Sequence, residues 1–167
     1  EMVGRMATPY RKDKATGELV AAGNSRFSEP LADRRRTAIP AGGLFSTAED
    51  LTQLYQMILL GGELDGRRYL KNETLRLMAT NQLGDLPKVS FAPGMHMGQG
   101  FHVVHAPQGV TENLSPGTFG HGGAYGTQAW IDPVKGVAYI LMVQRSNFPN
   151  SDASVVRLAF QQAAAAR

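Results

Sequence analysis

Apolar positions follow a helical period in the middle of this 167-residue chain and run in short, near-continuous blocks in its last third. Leu51, Leu54, Tyr55, Ile58 and Leu59 fit the i, i+3, i+4, i+7, i+8 template of an amphipathic helix. Ser46-Thr47-Ala48-Glu49 reads as its capping box, with Ser46 as N-cap and Glu49 reaching back, and Gly61-Gly62 supplies the stop. Asp65-Gly66 marks a turn. A shorter helix capped by Asn72 is predicted after it, with Leu75 and Met78 on the buried side. The stretch from Gly84 to Gly98 reads as loop, and Gly100 to His105 as a strand. Thr127 to Asp132 and Val137 to Gln144 are predicted strands around the turn DPVKG, and the second is apolar enough to be covered on both faces. Asn150 or Ser151 is expected to cap a last helix, whose buried face carries Val156 and Phe160 with Val155, Leu158 and Ala159. The first forty residues look irregular, apart from a hairpin around Ala15-Thr16-Gly17 and a loop through Pro30, Arg34-Arg35-Arg36 and Pro40.

Composition narrows the class. Hydrophobic residues make up 43% of the chain and charged residues 19%, which suits one domain with a real core and argues against disorder. A net charge of +3 with a single dense basic run is too little for a nucleic-acid-binding face. Without cysteine there is no disulfide framework and no thiol nucleophile. No apolar run approaches the ~18 residues of a membrane span. The chain opens on Glu1 with no basic-then-apolar leader, so its start is expected to be a processed or artificial one.

The stretch FGHGGAYG, residues 119–126, is the candidate chemistry: four glycines around His121 and Tyr125, directly before the strand TQAWI. A dinucleotide fingerprint is excluded, because Tyr125 stands where glycine or alanine is needed and a strand follows where a helix should. The spacing of His96, His102, His105 and His121 gives no metal-ligand set, so neither metal nor cofactor is expected. No Ser-x-x-Lys, Tyr-x-Asn, Ser-x-Asn or Gly-x-Ser-x-Gly occurs, so the chain holds no activated nucleophile. Two readings of FGHGGAYG stand side by side. It is a glycine-relieved strand entry with an exposed histidine, or it is a strand edge whose N–H donors face a cleft and stabilise an oxyanion beside an ionisable ring.

Two motifs then carry a family likeness: Ala41-Gly42-Gly43-Leu44 with Ser46-Thr47 leading into a helix, and a glycine-bounded triplet opening a strand that ends in Trp130-Ile131-Asp132-Pro133. In order and spacing the pair resembles the C-terminal part of the serine β-lactamase-related family. That family takes in class C β-lactamases, penicillin-binding proteins, D-amino-acid peptidases and β-lactamase-like carboxylesterases. The resemblance implies an α+β fold of the α/β sandwich type, an antiparallel sheet with packed helices, and the C-terminal portion of the β-lactamase/transpeptidase-like fold. Residues 1–167 would then be a C-terminal fragment of a serine hydrolase domain, lacking the N-terminal part with Ser-x-x-Lys and Tyr-x-Asn.

His121-Gly122-Gly123 takes the place of the family's Lys-Thr-Gly on the strand lining the active site. An ordinary histidine is mostly neutral near pH 7 and a poorer anion clamp than lysine, which favours an ester, amide or short-peptide substrate over penicillin. The resemblance gives His121 and Ala124 catalytic roles, Ala124 through its backbone N–H as an oxyanion donor. It gives Gly122, Gly123 and Tyr125 to substrate binding, with Arg145 and Asn147 as weaker pocket candidates. The fragment alone is expected to be inactive, and its partner to be the missing N-terminal segment or a second copy of itself. Family habit points to the periplasm or the exterior. The alternative is a non-catalytic binding or assembly module that kept the fold.

Overall fold

A computed structural model describes residues 2–22, 44–84, 86, 93–148 and 154–165. After a short 3₁₀ turn at Met2–Arg5, strands β1 (Tyr10–Lys12) and β2 (Leu19–Ala21) form the predicted hairpin. Its tip is closed by Asp13, whose carboxylate accepts from the N–H groups of Ala15 and Thr16 at 2.9 and 3.0 Å. The arginine run, both prolines of the early loop and Ala41 to Gly43 lie outside the described residues.

Helix α1 (Ala48–Leu59) forms where the period placed it, but its cap is one residue later than expected. Thr47, not Ser46, is the N-cap, its hydroxyl accepting from Asp50 N at 3.1 Å. Asp50 N–H sits three positions after the cap, the reach a short hydroxyl side chain covers. Gly61 and Gly62 both take left-handed backbone angles, and their N–H groups return to Ile58 O and Met57 O. Strands β3 (Glu63–Leu64) and β4 (Arg67–Arg68) flank the Asp65-Gly66 turn, where both residues have positive φ. Helix α2 (Asn72–Met78) starts at Asn72 itself, so the cap position falls to Lys71, which makes no side-chain capping bond. Leu75 is buried as expected, with Met78 packed beside it.

The main sheet has five antiparallel strands in simple meander order: β5 (Met95–Met97), β6 (His102–Val104), β7 (Phe119–Gly122), β8 (Gln128–Asp132) and β9 (Val137–Leu141). β5 falls inside the segment read as loop, because three residues between glycines give too short an alternation to register. Side chains alternate across the sheet and build two cores. Val103, Phe119 and Ile131 pack with Tyr55, Met57 and Ile58 of α1 and Leu75 of α2. On the other face Met95, Val104, Leu114, Trp130 and Tyr139 pack with Phe160 and Ala164 of helix α3 (Val155–Ala165). The chain is therefore an α+β sandwich, with an antiparallel sheet between helices, as the family resemblance implied.

Two expectations fail in instructive ways. β9 is not covered on both faces along its length, for Val137 and Ala138 are exposed and only Tyr139 is fully buried, and Met142 just beyond it is 42% exposed. β9 is the last strand of its sheet, and among the described residues nothing pairs with its outer edge. The chain then leaves for β10 (Arg145–Ser146), which runs parallel to β1 in a second sheet. In α3 the inward face belongs to Arg157 and Gln161, both essentially unexposed, with Phe160, while Val155 and Val156 turn out to solvent. Ser154 stands at its start and accepts from Arg157 N at 3.4 Å, whereas Asn150 and Ser151 lie outside the described residues.

Asp132 closes the β8–β9 turn from a fully buried position. Its carboxylate accepts from Ser115 N at 2.9 Å, Lys135 N at 3.0 Å and Val134 N at 3.1 Å. Burial raises its pKa, but the N–H groups of Lys135 and Ser115 outweigh that and hold it below the ordinary carboxylate value. A depressed carboxylate pKa gives stability that is present above the unfolded value of about 3.9 and lost as pH falls through the lower folded value. Asp132→Ala is expected to cost about 2–4 kcal/mol in urea unfolding at pH 7, because three donors lose their acceptor. The loss measured for the variant should shrink as the comparison moves below about pH 4; an equal loss at pH 7 and pH 3 would show that the charge is not the cause.

Candidate active site

β7 lies between β6 and β8, with His121 opposite Ala129, Gly122 opposite Gln128, and Gly120 between His102 and Trp130. Trp130 sets the local geometry. It is fully buried, its indole N–H donates to Gln128 Oε1 at 2.8 Å, and the Arg157 guanidinium lies 4.1 Å from the centre of its ring. A Cβ on Gly120 would collide with the Ala129 carbonyl and the Trp130 ring, so position 120 has room only for glycine. α1 grips the same place from the opposite face, where the buried Tyr55 hydroxyl donates to Ala129 O at 3.4 Å. Burial pushes the Tyr55 phenol up to about 12, so it stays protonated and a donor.

The loop after β7 is a tight turn. Gly126 N returns to Gly123 O at 2.9 Å, and Gly123 N donates to Thr127 O at 2.7 Å. Ala124 is therefore the second residue of a four-residue turn, a position whose N–H is not used by the turn itself. Among the described residues no backbone acceptor takes it. His121 is exposed at the strand end, and its Nδ1 lies 2.6 Å from Gly122 O. A carbonyl oxygen can only accept, so Nδ1 carries the hydrogen, and in the neutral ring Nε2 holds the lone pair.

The five residues singled out in the sequence thus sit on one strand end and its turn. They divide by exposure: His121 is open, Gly122, Gly123 and Ala124 are half-buried, and Tyr125 is buried. The Tyr125 hydroxyl has no partner among the described residues, while its carbonyl accepts from Arg145 N at 3.0 Å. Arg145 is half-buried with its guanidinium 4.8 Å from the Phe148 ring centre, and Asn147 is exposed in a left-handed conformation.

Sequence reasoning missed how the histidines associate. They form two pairs, His96 with His105 at 4.4 Å between ring centres and His102 with His121 at 4.7 Å. Both pairs depend on strand register: His96 belongs to β5, which the pattern hid, and His102 reaches His121 only because β6 and β7 are neighbours. His102 is also held below its ordinary pKa, first by burial and then by the charges of His121 and Arg157. No group of three or more His, Cys, Asp or Glu fit to hold a metal occurs among the described residues. No helix among them is long and apolar enough to cross a membrane.

The sequence and fold have relatives among known proteins. The chain is 36% identical over 116 residues to the esterase/beta-lactamase LipL of Mycobacterium tuberculosis, a match covering 70% of this chain and 25% of that protein. Its fold superposes on simvastatin synthase LovD from Aspergillus terreus with a TM-score of 0.70 at 19% identity, covering 99% of this chain and 42% of the other. It also superposes on EstCE1, a hydrolase with promiscuous acyltransferase activity, with a TM-score of 0.63 at 21% identity, covering 98% of this chain and 44% of that one. The chain thus spans about a quarter of the curated relative and under half of the solved structures. A family model described as Beta-lactamase matches residues 3–164, and the chain belongs to the beta-lactamase family.

Proposed function

We propose that this chain forms one wall of a serine-hydrolase acyl-transfer site, with β7 and its turn on the oxyanion side. The observation that carries the reading is the Ala124 N–H, which the turn leaves without a backbone acceptor beside the exposed His121. A developing oxyanion needs fixed donors that require no reorganisation at the moment of reaction. A backbone N–H pinned by the Gly123–Thr127 and Gly126–Gly123 bonds meets that need. The strand behind it is rigid because Trp130 and Tyr55 fix β8 from both faces.

In this reading the nucleophilic serine comes from outside these 167 residues, in keeping with relatives much longer than the part matched here. Its Oγ attacks the carbonyl of an ester, amide or short peptide, and a lysine and tyrosine from the same outside part carry the proton to the leaving group. The carbonyl oxygen, negative in the tetrahedral intermediate, accepts from Ala124 N–H and from the serine's own N–H. His121 Nε2 offers an acceptor at the mouth of the site, and the absence of lysine there disfavours substrates whose binding depends on a fixed cation. A non-catalytic assembly role is the second reading, favoured by the lack of any Ser-x-x-Lys in the sequence.

The isolated chain is expected to show no turnover of a p-nitrophenyl ester above buffer; robust hydrolysis that survives repurification would sink the assignment of the nucleophile to another segment. In a chain that also carries the upstream serine, Ala124→Pro removes the N–H and is expected to lower kcat about 10²–10³-fold. Unchanged kcat in the folded variant would refute the oxyanion role. His121→Ala in the same chain should lower ester hydrolysis by clearly more than about twofold, and a smaller effect removes His121 from the site.

A further inference from the structure

We propose that His102 is a positioning residue for His121: its ring is the surface against which His121 keeps Nδ1 on Gly122 O and leaves Nε2 as the acceptor. The ring centres are 4.7 Å apart with planes inclined at 32°, close enough for the two imidazoles to be in contact. His121 is exposed, so apart from its bond to the adjacent carbonyl little on its outer side fixes the ring. His102 is set in the sheet. It stands opposite Gly120 on β7 and opposite Met97 on β5.

Behind His102 stands a fixed array. Its ring centre is 6.5 Å from that of Trp130, and Trp130 in turn carries the Arg157 guanidinium. Arg157 is held by Gln161 one turn on: with the Gln161 amide oriented to suit both neighbours, its oxygen accepts from Arg157 Nε at 3.0 Å and its nitrogen donates to Val110 O at 2.7 Å. Burial lowers the Arg157 pKa to about 10, so it remains a cation at neutral pH. Among the described residues, the charged or titratable groups acting on His102 are His121 from β7 and Arg157 from α3, while β8 presents the uncharged Trp130 and β5 the uncharged Met97. Burial opposes a proton on His102, and the charges of His121 and Arg157 oppose it further, so near pH 7 it is a neutral ring that supports His121 without repelling it.

The consequence for catalysis rests on the reading of β7 as a site wall, but the pairing stands on geometry alone. The test therefore reads the rings, not turnover. Nitrogen-15 and carbon-13 NMR of the histidines in the full 167-residue chain should show His121 mainly as the Nδ1–H tautomer. His102→Ala should shift it toward the Nε2–H form that free side chains prefer, and His102→Phe, which keeps a flat ring there, should restore it. His121→Gln, a change at an exposed position, should raise the His102 titration midpoint. An unchanged tautomer in folded His102→Ala, or a His102 midpoint within about 0.1 unit of wild type in His121→Gln, overturns the proposal. If His102→Ala does not fold by circular dichroism, the His102→Phe and His121→Gln spectra decide it.

Discussion

The burial of Trp130 between Gly120 and Arg157 is the constraint from which the rest of this structure follows. An indole is too large to sit in a five-stranded sheet unless a neighbouring strand yields volume, and Gly120 yields it by having no side chain. On the helix side the ring accepts a guanidinium, so α3 turns Arg157 inward and sends its valines to solvent. The same indole fixes Gln128 through its N–H, at the residue opposite Gly122. One side chain thereby sets the spacing of β7 against β8 and the rotation of α3.

From that spacing the exposed chemistry follows. β7 ends in a turn whose hydrogen bonds are made by its glycines, and Ala124 is left holding a donor that no backbone acceptor among the described residues takes. Tyr55 fixes β8 from the α1 face at Ala129, the partner of His121, so that strand is held from both sides. In the proposed reading, preorganisation is a property of two cores meeting at one strand pair, not of a dedicated site-building segment.

The sequence disclosed the parts of this arrangement that depend on local pattern. α1 follows from its apolar period and the paired glycines after it, and the DPVKG turn from residues that suit a turn wherever they occur. FGHGGAYG stood out by composition, and the strand end and turn it forms are those of the proposed site wall. What stayed hidden depends on neighbours distant in sequence. β5 was too short to show an alternation, and the histidine pairs exist only in the register of the meander. Arg157 was hidden for a different reason: apolar counting assigns a charged residue to the outside, and only an aromatic face waiting opposite makes the inside favourable. The α1 cap moved by one residue because Ser46 and Thr47 were both eligible, whereas α2 begins one residue early with no side-chain cap at all.

The donor at Ala124 has a consequence for how such a site changes over evolutionary time. A group supplied by the main chain is indifferent to the side chain attached to it, so position 124 is free to drift among residues that fit the turn. The heritable information sits instead in Gly123, where a Cβ would collide with the Thr127 hydroxyl, and in Gly120, which makes room for the indole. Within a lineage, the signature of the proposed wall should be two fixed glycines ahead of a variable residue, so that the position supplying the donor carries the least trace of it.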